Sequence, residues 1–384
     1  MFSNVVAQTE SRRGLSPFCG VRAAKWGLSP SPSRRGFTLV ELLVVITIII
    51  ILMGLLTPVI MIALGNAREA RIIGDIAGLD TSLKAYKEKY GSYPPSDFSD
   101  MIVSGVVNTN SSAARHLAKA FPRCDVTQEL LYIQQPWRVN PSLRFFSPAD
   151  AMVFWLSGFS PDPEHPIKGL LPAPGTTVAA ALAMSLPTRS PFFEFAQARV
   201  QRQPGWPQVS NSGPTVVQLQ NGIWAYCDSS NTWYLTVPVY SPADTPGVPY
   251  VYFASQNYVV RDPTTESPKD DGTGHSIAYP YDTTVWQQGG QGVVRPYASD
   301  PPAGQFPANG NWPKNQGPQP VNPNSFQIIS AGLDGAFGGG GVDDQGKSGL
   351  PTLCYFPSGT FYGGGDRDNL TNFSPKNLGD SIPK

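Results

Sequence analysis

The feature that most constrains this chain is an uncharged segment of 26 residues, from Leu42 to Ala67, composed mainly of Leu, Ile, Val and Met. A helix rises about 1.5 Å per residue, so this segment exceeds the hydrocarbon thickness of a bilayer, about 30 Å. It predicts a transmembrane helix over about residues 39–64. Because Arg34 and Arg35 precede it, the N-terminus is expected to stay in the cytoplasm while the rest of the chain is exported.

Charge is unevenly distributed along the chain. Its 384 residues carry 28 Lys and Arg against 28 Asp and Glu, yet residues 1–36 contain six basic residues and one acid. The remainder therefore holds 22 basic and 27 acidic residues, a balance of −5. Phosphate recognition needs a basic cluster without interleaved acids, and none follows Arg35 in the sequence. We therefore expect no nucleic-acid partner.

One acid, Glu41, directly precedes the apolar segment. A lone carboxylate within a bilayer costs about 2.5–3.5 kcal/mol on insertion scales, so it needs either a partner or a position close to the lipid headgroups. The residue by itself leaves both explanations open.

The residues around Glu41 form a recognisable motif. Residues 36–46 read GFTLVELLVVI and follow two arginines directly, and this pattern resembles the class III signal of type IV pilins and type II secretion pseudopilins. The resemblance implies that a prepilin peptidase removes residues 1–36 as a cytoplasmic leader, cutting between Gly36 and Phe37, and methylates the new N-terminus. It also implies that Glu41 neutralises the N-terminal ammonium group of a neighbouring subunit in a filament.

The helix is expected to continue beyond the membrane and to span residues 37–90. Its second half carries an apolar stripe at spacings of three and four, which should pack on a globular head. The stripe consists of Ile72, Ile76, Leu79, Leu83, Tyr86 and Tyr90. Gly91 and two later prolines end the helix. Within the apolar half, Pro58 removes a backbone hydrogen bond, and with Gly54 it predicts a kink.

Residues 91–325 are predicted to form an enlarged head with Pro- and Gly-rich loops. Helical patterns occur near residues 113–121 and 148–156, and three β-prone runs bounded by turn residues predict strands. These runs are residues 215–219, 233–237 and 250–253. The predicted fold class is α+β: a pilin-like long helix packed on an antiparallel sheet, with a large loop-rich insertion.

Residues 326–384 are similar to the end of the major pseudopilin. The segment FQIISAGLDGAFG resembles the strand and turn that lead into a calcium-binding loop in that family, and DRDN resembles its closing segment. The resemblance implies oxygen ligands for calcium from Asp334 and Asp368 first, then from Asp366 and Asn369. Because about thirty residues separate the two segments here, the alternative is a tight turn at Asp334 with solvated carboxylates.

No catalytic signature is present in the sequence. The chain lacks HExxH, GxSxG and CxxC patterns, and its histidines are far apart, at His116, His165 and His275. We therefore expect no enzymatic activity. Three cysteines remain after loss of the leader, and in an exported protein one disulfide could form among them. They are Cys124, Cys227 and Cys354, and the sequence does not indicate which two would pair.

Together these features predict a structural subunit of a type II secretion pseudopilus or of a type IV pilus-like filament. It would be a single-pass protein of the bacterial inner membrane with a periplasmic head, and later part of a periplasmic or cell-surface filament. The expected partners are further copies of the chain, other pseudopilins, the prepilin peptidase, the inner-membrane assembly platform and a secretion ATPase. No cofactor is expected beyond a structural calcium ion. The alternatives are an exported binding protein tethered by one helix, or a minor pseudopilin at the filament tip.

Overall fold

The computed structural model of the chain describes residues 37–96, 98, 101–103, 106–139, 147–201, 215–258, 281–282, 293–300, 320–338, 354–360 and 362–383. They belong to two compact units that divide after Ile60. In the first unit the described residues are the N-terminal part of one helix, and the second unit holds all the other elements. The division predicted from the sequence, at residues 37–90, 91–325 and 326–384, stays a prediction.

Five α-helices and fourteen short strands occur in the described residues. The helices are α1 (Leu39–Tyr90), α2 (Ser112–Ala120), α3 (Val126–Val139), α4 (Pro148–Leu156) and α5 (Val178–Ala183). The strands are β1 (Ile102–Val103), β2 (Val106–Val107), β3 (Val200–Gln201), β4 (Thr215–Gln218), β5 (Trp224–Cys227), β6 (Trp233–Leu235), β7 (Val239–Tyr240), β8 (Val251–Ala254), β9 (Tyr281–Asp282), β10 (Val293–Val294), β11 (Ala298–Ser299), β12 (Phe326–Ser330), β13 (Tyr355–Phe356) and β14 (Leu370–Thr371). This composition is the α+β class that the sequence predicts.

In the first unit, α1 presents apolar side chains on all sides. The helix is long and apolar enough to cross a membrane, and its most apolar stretch is not buried within the protein. The hydroxyl groups of Thr47 and Thr57 donate to the carbonyls of Leu43 and Met53, at 2.8 and 2.7 Å. Each threonine therefore satisfies its own polar group inside the helix, as an apolar surrounding requires. The helix is continuous across Pro58, and the kink stays a prediction.

In the second unit, α1 buries the predicted stripe. Five of its six residues are at most 3% exposed, and Tyr90 is partly buried against the same cluster. The helix ends after Tyr90 because Gly91 adopts a φ of +77°, a left-handed conformation that glycine reaches without steric cost. The Gly91 amide still donates to the Lys87 carbonyl, at 2.7 Å, and so satisfies one carbonyl of the last turn.

The strands form several small sheets rather than the single antiparallel sheet expected from the sequence. Two sheets have three antiparallel strands, in the orders β14–β12–β8 and β4–β5–β6. The other strands pair in twos, and β11 pairs with β13 in parallel. Most of the described strands are only two to four residues long, so each pair offers few ladder hydrogen bonds.

The main core joins α1, α4 and the strands β8 and β12. Helix α4 begins with a capping box, in which Ser147 and Asp150 satisfy each other's backbone amides, and all nine of its residues are buried. Its Trp155 donates an indole hydrogen bond to the Pro95 carbonyl, at 2.9 Å. This bond fixes α4 to the segment that follows the long helix.

Candidate functional site

The first candidate site is the N-terminal end of α1, where Phe37 is 81% exposed. Thr38 and Glu41 form a reciprocal cap there. The Glu41 Oε2 atom accepts hydrogen bonds from the Thr38 amide and hydroxyl, both at 2.9 Å, and the Glu41 amide donates to Thr38 Oγ1 at 3.2 Å. Gly36, on the other side of the predicted cleavage point, lies outside the described residues.

This arrangement gives Glu41 a local role as well as the predicted one. One oxygen of its carboxylate satisfies orphan donors of the first helical turn, and a negative charge is favourable at a helix N-terminus. Its Oε1 atom accepts no hydrogen bond within the described part of the chain. The carboxylate can therefore hold the helix end with one oxygen and accept a positively charged donor with the other.

The second candidate site is the C-terminal pair of segments that resemble a calcium loop. Although about thirty residues separate them in the sequence, the structure brings them together. Asp368 Oδ2 accepts from the amides of Leu333 and Asp334, at 2.5 and 2.9 Å. Gly332 has a φ of +65°, and a Cβ atom there would collide with the backbone and carboxylate of Asp368. A glycine is therefore required for this close approach.

Asp366 and Asn369, the other two predicted ligands, belong to a separate buried cluster. The Tyr297 hydroxyl donates to Asp366 Oδ1 at 2.5 Å and accepts from Asn369 Nδ2 at 2.8 Å. The Gly363 amide donates to Asp366 Oδ2 at 2.7 Å. Burial raises the pKa of the Asp366 carboxyl, while the hydrogen bonds from Tyr297 and Gly363 oppose that rise.

The donor set therefore fits calcium only in part. Asp334 and Asp368 lie close enough that the charge of Asp368 contributes to a raised pKa of Asp334, for which partial desolvation is the larger cause. Calcium takes about six to eight oxygen ligands. Among the residues that the structure describes, however, no group of three or more His, Cys, Asp or Glu side chains is placed to hold a metal ion. Asp334 and Asp368 would need backbone carbonyls and water to complete the coordination.

Comparisons with known proteins bear on the N-terminal site. The prokaryotic N-terminal methylation motif matches residues 31–57, which include Gly36, Phe37 and Glu41. The chain therefore carries a prokaryotic N-terminal methylation motif. It is also 38% identical over 65 residues to the type II secretion system core protein G of Klebsiella michiganensis. That match covers 17% of this chain and 46% of the relative, so the chain spans about half the length of that protein. No solved structure matches the chain.

The chain contains functional groups that the sequence analysis did not single out. Thr38 caps the helix, and the spacing Thr-x-x-Glu before an apolar run is the signature that predicts it. Tyr297 bridges Asp366 and Asn369 from a segment with no recognisable motif, so no sequence signal points to it.

Most of the described histidines and cysteines are packed within the fold. His116 is buried against Tyr86, His165 contacts Glu129 at 3.3 Å, and His275 lies outside the described residues. No disulfide joins the three described cysteines, Cys124, Cys227 and Cys354. Burial raises the pKa of the Cys124 and Cys227 thiols to about 11, which keeps them protonated and poorly reactive near neutral pH.

Proposed function

We propose that this chain is a structural subunit of a type II secretion pseudopilus or of a type IV pilus-like filament. A prepilin peptidase cuts between Gly36 and Phe37 and methylates Phe37. The subunit is then lifted from the inner membrane into a fibre as Glu41 pairs with the N-terminal ammonium group of a neighbouring copy. The chain acts by assembly, not by catalysis.

The observation that carries this proposal is the geometry of Glu41. Its carboxylate lies at the N-terminal end of an exposed apolar helix, four residues after Phe37. One of its oxygens accepts no hydrogen bond within the described residues. A half-satisfied carboxylate among apolar side chains is costly, and a positive charge supplied by another subunit would offset that cost. The same pairing of Glu41 with the ammonium group would fix the axial position of each subunit relative to its neighbour.

The match to a secretion core protein supports the choice of machinery and partners. We infer that the head is periplasmic, and that further copies, other pseudopilins, the inner-membrane assembly platform and a secretion ATPase act with this chain. The apolar helix serves first as a single-pass membrane anchor and then as the packing core of the fibre.

Mass spectrometry of the purified protein tests the processing step. The expected mature N-terminus is a methylated Phe37, with residues 1–36 absent. A chain that keeps its leader in cells that contain a prepilin peptidase would overturn the proposal and favour a tethered binding protein.

The variant Glu41→Ala tests the assembly step. It should insert into the membrane and be cleaved as the parent is, yet be absent from sheared or overproduced filaments. Glu88→Ala is the matched control, because Glu88 is an exposed acid on the same helix, far from its N-terminal end. Equal recovery of both variants in filaments would remove Glu41 from the mechanism.

We further propose that a structural calcium ion binds at the edge formed by Asp334 and Asp368, while Asp366 and Asn369 stabilise the neighbouring loop through Tyr297. Support comes from the close approach of the two carboxylates and from their positions on glycine-rich turns. If only the folded chain binds calcium, the ion stabilises the folded state by mass action.

Thermal unfolding with calcium or with a chelator tests the calcium site. Calcium should raise the unfolding midpoint of the parent and should have little effect on Asp334→Asn combined with Asp368→Asn, which keeps the acceptor oxygens but removes the charges. Asp380→Asn, an exposed acid in the same C-terminal segment, serves as the control. A parent midpoint that does not respond to calcium would contradict the proposal.

A further inference from the structure

The head contains a cavity of about 400 Å³ that neither the filament nor the calcium proposal uses. It lies between the end of α4, the segment that precedes β3, and the strands β5 and β6. Its volume falls within the range of small-molecule sites, about 300–1,000 Å³. Phe193, Phe195 and Trp224 form much of its apolar wall.

The guanidinium group of Arg189, which has no ion-pair partner among the described residues, lines this cavity. Desolvation lowers the pKa of Arg189 to about 10, and no neighbouring carboxylate opposes this effect. Arg189 donates no hydrogen bond within the described residues, although it is half-buried. Glu194 lines the same cavity, but no ion pair between Glu194 and Arg189 occurs in the described residues. Removing a charge from water without pairing it is unfavourable. An unpaired, partly buried guanidinium therefore suggests that an anionic group from outside the chain pairs with it.

A second polar side chain, Thr236, borders the cavity. The hydroxyl of Thr236 is buried and has no hydrogen-bond partner among the described residues, while Thr236 as a whole is only 5% exposed. Because this hydroxyl has almost no accessible surface, the ligand contacts come from the other lining groups. An arginine fork beside aromatic walls forms a recognition set for an acid group attached to an apolar body. The apolar walls disfavour a small, fully hydrated anion such as inorganic phosphate.

We propose that this cavity binds a small organic carboxylate. The acid group accepts hydrogen bonds from Arg189, and the apolar or aromatic body of the ligand contacts Phe193, Phe195 and Trp224. The cavity therefore gives the enlarged head a ligand-binding function in addition to assembly.

Fluorine NMR tests this site with the full chain in zwitterionic lipid nanodiscs. The probe is 3-(4-fluorophenyl)propionate, and its uncharged amide is the matched ligand control, with empty nanodiscs to subtract partition into lipid. The fluorine signal of the acid should broaden and shift when the protein is added. The amide should bind at least about tenfold more weakly. Equal binding of acid and amide, or no binding of the acid above empty nanodiscs, would overturn the proposal.

Arg189→Gln should weaken binding of the acid about tenfold and leave binding of the amide unchanged. Arg123→Gln is the control, since Arg123 is exposed, pairs with Glu164 and does not line the cavity. Glu194→Gln removes the acidic side chain that lines the cavity and should strengthen binding of the acid.

Thermal unfolding separates a binding role of Arg189 from a structural one. Because Arg189→Gln removes an uncompensated charge, the midpoint of the unliganded protein should rise or stay constant. A midpoint several degrees lower, or a fall in affinity for the acid in Glu194→Gln, would show that Arg189 serves the fold through Glu194 and would overturn the proposal.

Discussion

His116 shows how a single residue links the long helix to the head. It is 6% exposed, its Nε2 atom lies 3.0 Å from the Tyr86 hydroxyl, and its Nδ1 atom lies 3.4 Å from the Ser92 hydroxyl. Burial lowers the pKa of His116 to about 4, and the nearby charge of Lys119 adds to that effect. The imidazole is therefore neutral in the folded protein at neutral pH.

The buried imidazole predicts a loss of stability in mild acid. The unfolded chain takes up a proton on this residue near its ordinary pKa of about 6.5, whereas the folded chain resists protonation until about pH 4. Stability is therefore full above pH 6.5 and falls between pH 6.5 and pH 4, with about 2 kcal/mol lost by pH 5. Urea unfolding at a series of pH values measures this loss.

His116→Gln should lower stability at pH 7 and reduce the pH dependence in this window. His165→Gln, at a half-exposed position, should leave that dependence in place. A parent protein equally stable at pH 7 and pH 5 would contradict the neutral, buried state of His116.

Asp75 anchors α1 to the head through charge. Its two carboxylate oxygens accept from the guanidinium of Arg199, at 3.0 and 2.5 Å, and from the Tyr250 hydroxyl at 2.8 Å. Both members of the ion pair are less than 20% exposed. Asp75→Ala leaves the arginine and the tyrosine without their acceptor, so we expect a loss of about 2 kcal/mol, reduced from the fully buried case by the remaining exposure.

Urea unfolding of the Asp75→Ala variant measures that loss, with Glu88→Ala as an exposed control on the same helix. Similar unfolding curves for the two variants would show that the ion pair contributes nothing beyond a surface contact.

At the scale of secondary structure, elements with a strong local signal are the ones that the sequence predicts well. The α1 stripe and the position of α4 follow from helical patterns, and the end of α1 follows from a turn glycine. Helix α3 was not predicted, because Pro136 lies within it and a proline in a helical pattern normally marks an end. Strand β5 was missed as well, and in the structure it pairs with β4 and β6 on its two sides.

The end of α1 supports a test of backbone geometry. A Cβ atom at Gly91 would meet only the side chain of Lys119, at 3.4 and 3.6 Å, so a substitution there has room. The cost of Gly91→Ala therefore comes from the left-handed φ alone, and we expect about 1 kcal/mol of destabilisation. Gly91→Asn should cost less, because asparagine tolerates this conformation better. Equal stability of Gly91→Ala and the parent in urea would show that the helix end rearranges.

At the scale of the whole molecule, the candidate sites divide by how far apart their residues lie in the chain. Phe37 and Glu41 are close in the sequence, so one short motif predicts both. The C-terminal site is formed by segments that lie far apart in the chain. Tyr297 enters it from outside the two motifs and bonds to Asp366 and to Gln327, which belongs to the first motif. Sequence similarity identifies Asp366 and Asp368 as a group. It cannot show that Tyr297 binds Asp366, whereas Asp368 binds the turn that contains Asp334.

Gln327 connects these distant segments and provides the most direct test of how the head is held together. It is fully buried in β12, its Oε1 atom accepts from the Tyr297 amide, and its Nε2 atom donates to the carbonyls of Tyr297 and Val321, each bond at 2.8 Å. Gln327→Leu has a similar volume but leaves one amide and two carbonyls without this partner.

Each buried polar group that loses its bond costs about 1–3 kcal/mol, so Gln327→Leu should lose about 3 kcal/mol or more in total. Urea unfolding followed by tyrosine and tryptophan fluorescence measures that loss. Gln220→Leu, at an exposed position with one side-chain hydrogen bond to the Leu182 carbonyl, should lose less than about 1 kcal/mol. If the two variants unfold at the same urea concentration, the strands around β12 are held together by apolar packing, and the long-range hydrogen bonds of Gln327 only accompany it.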